Sequence, residues 1–466
     1  MSRREVPDSA PLAVARRVIR PAGFFALSFG SMVGSGWIIL LGDWLKRAAP
    51  GGALLALLAG GALMALIGCC YAELAARLPR AGGEFLYALE GLGRTAAFIV
   101  GWFITLFLVS LCAFEATALT WLVTELFPTA QGQSLYHILG GPVTTDALVL
   151  GVIGAAAVCV LNLRGVQTSV AFQRVVTFTF IAVMLGLIAA GLVFGAARNL
   201  RPMFVTPDGH PWTSGAFWIF AMCAMLLNGF QSALYVIEER APDVSVRAAT
   251  LSMVAGIIGA AIFYAAIVLA AGSIMPWQQI LSAHLPAVAA FDVLSPSGIV
   301  GKIILLVSIA SLAKTWNALL LMASRIVLAQ SRAGMLPAAF ARLNQRAGAP
   351  SNAILLVTLV SIAGMLLGKG ALIPIINMAT ICIALILVLT LLVLLKLRHQ
   401  QPASPGYAVP GGVPAILVCT AGAILMAGFA FFSPLLQNPG HLPLEWLLMA
   451  VWAALGLACS RLVARS

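Results

Sequence analysis

The sequence predicts an all-α membrane protein with twelve transmembrane helices, and three observations support this fold class. Of the 466 residues, 61% are hydrophobic and only 9% are charged, whereas a soluble domain carries about 25% charged residues. Apolar runs recur along the whole chain, and each is close to the roughly 20 residues that a helix needs to cross a bilayer. Lysine and arginine are abundant in every second connection between these runs and scarce in the others, which indicates an even number of crossings.

Twelve spans account for the apolar runs in order. They are residues 23–41, 51–76, 95–126, 145–163, 170–195, 214–237, 251–274, 299–328, 351–368, 371–396, 412–432 and 444–463. We expect four parts: an N-terminal tail (1–20), five spans (21–195), five further spans (196–398) and two final spans (399–466). The connection at residues 275–297 contains prolines and a tryptophan, so it either forms a short helical lid or serves as a passive connector.

The distribution of basic residues predicts the orientation. If the N-terminus lies inside, twenty lysines and arginines fall in the inner connections and tail segments. The outer connections then hold only Lys46, Arg47, Arg198, Arg201, Lys302 and Lys369. Cytoplasmic loops of membrane proteins are enriched in this way. We therefore expect both termini in the cytoplasm and a multi-pass location in the inner or plasma membrane, with an uncleaved N-terminal tail.

Several functional classes are not supported by the composition. The net charge of +12 follows from the inner loops and does not indicate nucleic acid. The eight cysteines lie in or beside apolar runs without metal-ligand spacing, and the five histidines are scattered through loops or helix ends. No glycine-rich phosphate loop or Ser/His/acid arrangement is present. We therefore expect no enzymatic activity and no bound metal or cofactor. The expected surroundings are the lipid bilayer. The sequence does not indicate an oligomeric state.

The first span carries a candidate interruption near its middle, where small residues cluster: Gly30, Ser31, Gly34, Ser35 and Gly36, around Val33. Glycine costs about 1 kcal/mol relative to alanine inside a helix. Unwinding after Gly34 would leave a half-helix starting near Trp37, whose free N–H groups and positive dipole end suit a carboxylate. Close helix packing through small residues is the alternative explanation.

The sixth span carries a second candidate interruption at Gly229, between the polar residues Asn228 and Gln231 and next to Phe230. The carbonyl-rich end of a half-helix there would suit an ammonium group. The first and sixth spans occupy matching places in two five-span sets and cross in opposite directions. Paired interruptions at such positions are typical of the binding sites of secondary transporters.

These residues resemble the amino acid–polyamine–organocation (APC) superfamily. The resemblance rests on residues 30–36, residues 71–85 with Gly101 and Trp102 after them, the pair at 229–230 followed by 238–239, and residues 324–337 with 349–350. It implies the leucine-transporter-like fold: five helices, an inverted five, and two peripheral helices, with helices 1 and 6 broken. It also implies that these two helices hold the amino and carboxyl groups of a substrate. The implied binding residues are Ser31, Val33, Gly34, Ser35, Gly36, Asn228, Gly229, Phe230 and Gln231.

Two positions depart from the superfamily pattern. Trp37 stands where relatives have a smaller apolar residue, so the pocket is reshaped. Gln231 stands where several relatives have an acid, so a proton-linked acid is missing there. These departures affect the expected substrate and leave the expected fold unchanged.

Lys314 lies halfway along the eighth span, where a lysine costs several kcal/mol unless it is paired or neutral. In sodium-coupled relatives a sodium ion sits between helices 1 and 8. We hypothesise that the Lys314 ammonium replaces that ion beside Gly30 and Val33, and that protons couple to transport through it. A snorkelling or purely structural lysine is the alternative.

Other polar and aromatic residues are candidates for the pocket or its gates. Glu115 could contact a cationic substrate, pair with Lys314, or face an outer vestibule, while Tyr235, Phe230 and Trp316 could line the pocket or serve only in packing. An inner gate network is possible from two sets of residues: the acids Glu73, Glu84, Glu238 and Glu239, and the arginines Arg77, Arg80 and Arg325. Simple solvated charge is the alternative for these residues.

We therefore predict a secondary active transporter of an amino acid or a related organic amine, working by alternating access. Proton symport and substrate exchange both remain open. A non-transporting amino acid sensor and a channel are the alternatives from other functional classes. A sensor would bind substrate without moving it, and a channel would conduct without saturation.

Overall fold

The computed structural model describes residues 17–80, 82–127, 132–139, 141–295, 297–344, 346–401, 406–437 and 442–463. Most of these residues are helical. Most of the predicted N-terminal tail, residues 1–16, lies outside the described part of the chain.

The N-terminal half of the described chain contains eight α-helices and one hairpin. They are α1 (Pro21–Met32), α2 (Gly36–Arg77), α3 (Gly83–Leu92), α4 (Arg94–Leu126), β1 (Ser134–Ile138), β2 (Gly141–Thr144), α5 (Thr145–Leu163), α6 (Val166–Phe194), α7 (Trp212–Leu226) and α8 (Ser232–Tyr235). The hairpin was not anticipated, because its short strands are mostly exposed and so lack a strong alternation of apolar and polar residues.

The C-terminal half contains eight more α-helices. They are α9 (Val246–Ile274), α10 (Trp277–Ile280), α11 (Pro286–Asp292), α12 (Ile299–Arg332), α13 (Ser351–Met365), α14 (Leu372–Gln400), α15 (Gly412–Gln437) and α16 (Leu444–Val463). Short 3-10 turns at Ala197–Leu200, Ile237–Glu239, Ala338–Ala341 and Lys369–Ala371 connect some of them.

Nine helical segments in the described residues are long and apolar enough to cross a membrane. Two further apolar helices, α7 and α13, have only 15 residues each. The chain is therefore a helical protein of the multi-pass membrane type. The count of twelve spans, the four-part division and the inverted repeat stay predictions.

The first predicted span is interrupted where the glycines cluster. Helix α1 ends at Met32, the backbone at Val33, Gly34 and Ser35 is not helical, and α2 begins at Gly36. Helix α1 packs against α9, α6 and α12. The interruption therefore lies inside the helix bundle.

The connection predicted between the first two spans, residues 42–50, is not a loop. Helix continues from Gly36 to a sharp turn at Ala49 (φ 55°, ψ 170°), and Pro50 directly follows this turn at the start of the next helical stretch. Proline suits the first turn of a helix because its missing N–H would have no partner there. Arg47 therefore lies on a helix, where it pairs with Asp43 one turn earlier at 2.8 Å.

The sixth predicted span is interrupted as well. Helix α7 ends at Leu226, residues 227–231 form a turn, and only the four-residue helix α8 and a 3-10 turn follow. Gly229 adopts a φ of 112°, a conformation that L side chains rarely adopt. The connection at 275–297 contains two short helices, α10 and α11, which pack against each other and against α2 and α9.

A buried ion cluster joins the end of α2 to α14 and to the segment before α15. The Glu73 carboxylate accepts hydrogen bonds from Arg77 at 2.8 Å, from Arg398 Nε at 2.8 Å and from the Val409 backbone N–H at 2.8 Å. The Glu73 side chain is fully buried. The cluster fixes the ends of three chain segments to one another.

We expect Glu73→Ala to destabilise the protein by about 3 kcal/mol, because removing one partner of a buried pair leaves uncompensated charge. Thermal unfolding of the purified protein in detergent measures the loss. Glu90→Ala is the control, since Glu90 forms an exposed pair with Arg80 worth at most about 1 kcal/mol. Equal shifts for the two variants would contradict the assigned role.

Candidate binding site between two interrupted helices

The two helix interruptions contact each other. The Ser31 hydroxyl lies 2.6 Å from the carbonyl oxygen of Gly229 and 3.2 Å from the hydroxyl of Ser232. A Cβ atom at Gly229 would come within 2.9 Å of the Ser31 Oγ atom. The glycine therefore permits both the backbone conformation and the close approach of the two chain segments.

Side chains of α12 and α9 hydrogen-bond the carbonyls that the first interruption leaves without helical partners. The Lys314 ammonium donates to the Gly30 carbonyl at 2.8 Å and to the Val33 carbonyl. The Ser311 hydroxyl donates to Val33 at 2.9 Å. On the opposite side, the Tyr264 hydroxyl donates to Met32 at 2.8 Å. Non-helical backbone at this depth requires such internal partners, because lipid offers none.

Lys314 is completely buried, and its ammonium also lies 5.1 Å from the centre of the Phe180 ring. One of the three alternatives for Glu115, a direct pair with Lys314, is not observed, since no ion pair within 4.0 Å joins these two described residues. The helix 1 carbonyls, together with the Phe180 ring, take the place of a carboxylate partner. This arrangement puts a positive charge where α1 is unwound.

A cavity of about 80 Å³ lies beside both interruptions. Residues of the unwound segments line one part of it: Ser31, Met32, Gly34, Ser35, Gly36, Asn228 and Gly229. Apolar side chains of α4 line another part, among them Phe107, Leu111 and Phe114. The cavity thus combines main-chain polar groups at one side with a largely apolar wall.

Three buried side chains that line the cavity carry a polar atom without a hydrogen-bond partner. These atoms are Ser35 Oγ, Glu115 Oε2 and Asn228 Nδ2. Each of the three residues is at most 6% exposed. A buried polar group without a partner costs about 1–3 kcal/mol. The set of one carboxylate oxygen, one amide donor and one hydroxyl therefore indicates a polar ligand of complementary chemistry.

The remaining predicted residues lie around the cavity without lining it. Phe230 is fully buried and packs edge-on against Tyr71, with ring centres 5.1 Å apart. Trp316 points to α5, where the nearest atom of its ring would lie 2.8 Å from a Cβ at Gly154. The indole of Trp316 therefore packs against α5 at this glycine, and its role at the pocket or gate stays a prediction.

Gln231 and Tyr235 line a separate space of about 10 Å³, together with Glu84. The Tyr235 hydroxyl donates to the Glu84 carboxylate at 2.7 Å. Burial raises the pKa of Glu84, although the hydrogen bond from Tyr235 opposes this shift. Four residues after Tyr235, the Glu239 carboxylate pairs with Arg325 of α12 at 2.6 Å. These two contacts join α8 to α3, and the 3-10 turn after α8 to α12.

One buried polar network near the site was not anticipated. The Asn317 side chain accepts from Asn162 at 3.0 Å and from Ser169 at 2.9 Å, and donates to Gln173 at 3.2 Å. It fixes α12, and with it Lys314, to α5 and α6. Asn317 stands in an apolar run, which indicates that a polar partner is needed. Its partners are more than 140 positions away along the chain, so the sequence does not identify them.

Gly229→Ala tests the contact between the interruptions. We expect ligand binding or uptake to fall about tenfold, because a Cβ at a φ of 112° is strained and collides with Ser31. Gly186→Ala in α6 is the control, since a Cβ there meets no atom within 4 Å. Wild-type activity of Gly229→Ala would contradict a requirement for the close approach.

Comparison with known proteins gives a family match over most of the chain. The family described as amino acid permease matches residues 22–458. The methylthioribose transporter of Bacillus subtilis (strain 168) is 27% identical over 443 residues, covering 92% of this chain and 89% of that protein. The cationic amino acid transporter 4 of Mus musculus is 25% identical over 420 residues, covering 88% and 64% respectively.

Proposed function

From the premise that this chain belongs to the amino acid permease family, we propose that it is a secondary transporter of an amino acid or a related organic amine. The cavity between the two interruptions, with its three unpartnered polar atoms, carries the proposal. We further propose twelve spans, two inverted five-helix halves, an orientation with both termini in the cytoplasm, and transport by alternating access.

We propose that the substrate carboxylate binds at the start of α2. The first N–H groups of a helix have no partner within the helix, and the helix dipole favours an anion there. The cavity reaches this point, since Gly34, Ser35 and Gly36 line it. The ammonium group then faces the carbonyl end of α7 near Met225 and Asn228. Both ends of an amino acid thereby use main-chain dipoles in the middle of the bilayer.

We propose that Glu115 recognises a hydrogen-bond donor or a cation elsewhere on the substrate. Its carboxylate lines the cavity and has an oxygen without a partner. A buried carboxylate is costly unless it is paired, so a substrate that supplies the partner gains binding energy. Phe107 and Phe114 from the same helix, α4, suit the apolar part of such a substrate. A relative named as a cationic amino acid transporter is consistent with this role.

Lys314 is the proposed coupling residue. Its ammonium joins one carbonyl in the last turn of α1 and one in the unwound segment to α12, which is the role that the superfamily resemblance implies for a sodium ion. If the ammonium loses its proton, the tie between α1 and α12 weakens, and α1 is released. Proton movement and the opening of the site are then linked.

The test of the proposed function is uptake by vesicles containing the purified protein. Labelled amino acids and amines are screened with and without an acidic exterior, and excess unlabelled compounds rank the substrates. Saturable uptake that rises with the proton gradient supports a symporter, whereas uptake that needs substrate inside supports exchange. Binding of a labelled compound without its movement would overturn the proposal in favour of a sensor.

A further inference from the structure

A groove of about 560 Å³ lies between α4 and α16, and its lining shares no described residue with the cavity described above. Residues of α4 at helical spacing form one wall: Arg94, Phe98 and Trp102, with Thr95, Ile99 and Phe103 beside them. Small and apolar residues of α16 form the other wall, including Ala453, Gly456 and Leu457. Gly334 and Met335, after α12, close one end.

A tryptophan pair holds the two walls together. The rings of Trp102 and Trp452 stack with centres 4.7 Å apart. Each indole N–H donates to the backbone carbonyl of the other residue, at 2.8 and 3.0 Å. Gly456 lies against the Trp102 ring, where a Cβ would come within 2.7 Å of the indole nitrogen. The groove is therefore a fixed feature of the packing between α4 and α16.

Charge is confined to one end of the groove. Among the described residues that line the groove, Arg94 is the only charged one, and its side chain is exposed. Arg94 donates one hydrogen bond, to the Ala333 carbonyl at 3.0 Å, and none of the ion pairs among the described residues includes it. A guanidinium has five donors, so several remain. The hydroxyls of Thr95 and Ser460 are the other side-chain polar groups in the lining, apart from the paired indole of Trp102.

We propose that this groove binds an anionic phospholipid of the cytoplasmic leaflet, a proposal that rests on the proposed membrane orientation. Arg94 and Trp102 are eight positions apart, or about 12 Å along a helix. A phosphate group contacts Arg94 and Thr95, and an acyl chain lies along Phe98 toward Trp102. Arginine is well suited to phosphate oxygens, and anionic lipids are concentrated on the cytoplasmic side. The single charge at one end of an apolar groove matches the polarity of a lipid.

The test is native mass spectrometry of the full chain in detergent, titrated with dioleoylphosphatidylglycerol or dioleoylphosphatidylcholine. We expect the wild type to bind one molecule of dioleoylphosphatidylglycerol at a concentration about tenfold lower than it needs to bind dioleoylphosphatidylcholine. Arg94→Gln should remove this preference, and Arg94→Lys should keep most of it. Arg247→Gln is the control, since Arg247 is also exposed in the first turn of a helix, α9, but lines no part of this groove.

Equal affinity of the wild type for the two lipids would overturn the proposal. So would equal losses in Arg94→Gln and Arg247→Gln, or a lipid-free dimer of the chain that the groove-filling variant Ala453→Phe dissociates. Circular dichroism establishes that each variant is folded before titration. Because the readout is lipid binding, a failure of the proposed transport activity does not affect the result.

Discussion

Lys314→Ala should lower uptake by at least about a hundredfold and abolish its response to a proton gradient. The substitution removes the ammonium that joins Gly30, in the last turn of α1, and Val33, in the unwound segment, to α12. A hydrogen bond to a charged group contributes about 1.5–3 kcal/mol, and two such bonds correspond to a hundredfold or more in an equilibrium constant. Uptake of the substrate that the screen identifies is measured in vesicles with an acidic exterior and with no gradient.

Two further variants separate the charge of Lys314 from its hydrogen bonds. Lys314→Gln can still donate to a carbonyl but cannot carry a proton across a cycle. We expect it to retain substrate binding better than Lys314→Ala while losing the response to the gradient. Lys302→Ala is the control, since Lys302 is exposed near the start of the same helix, α12. Full uptake by Lys314→Ala with unchanged pH dependence would eliminate the coupling role.

The family and the helix interruptions could be predicted because their signals are local. Clustered glycines and serines at 30–36, and Gly229 between polar residues, mark places where a helix is costly to continue. Both interruptions are observed within a few residues of the predicted positions. The resemblance to the APC superfamily rested partly on these same residues and partly on residues 71–85 and 324–337, and the amino acid permease match bears it out.

The turn at Ala49 could not be predicted in the same way. Alanine is a strong helix former, so its positive φ is imposed by packing, since Ala49 is fully buried. The interaction between Lys314 and the helix 1 carbonyls was anticipated only through the resemblance. The fixing of α12 by Asn317 was not anticipated, because partners so distant in sequence leave no local pattern.

The orientation of aromatic side chains also could not be predicted from the sequence. Phe230 and Trp316 were both candidates for the pocket on the basis of their position along a helix. Tyr71 and Gly154 decide where these rings pack, and both lie on other helices. Even when the residues of a helix are known, the sequence does not show which face of that helix is turned to the cavity. The residues that line a cavity are therefore harder to predict than the interruptions of a helix.

Glu115→Gln should change which substrates are transported more than whether transport occurs. The amide has nearly the shape of the carboxylate but no charge. We expect uptake of substrates with a second cationic group, such as lysine or a diamine, to fall about a hundredfold. That loss corresponds to about 2.7 kcal/mol, within the range for removing one partner of a buried charge pair. Uptake of a neutral amino acid should stay within about threefold of the wild type, because we propose that its carboxylate and ammonium contact α2 and α7, not Glu115.

The comparison of cationic with neutral substrates is what makes this variant informative. A purely structural role of Glu115 predicts equal losses for both classes, and that outcome would exclude recognition by its carboxylate. Glu125→Gln provides the control, because Glu125 lies near the end of the same helix, α4, and pairs with His284 at 3.0 Å away from the cavity. Among the described residues that line the cavity, Glu115 is the one acidic residue, and one of its carboxylate oxygens has no hydrogen-bond partner. If Glu115→Gln still prefers cationic substrates, no other described residue that lines this cavity explains the preference.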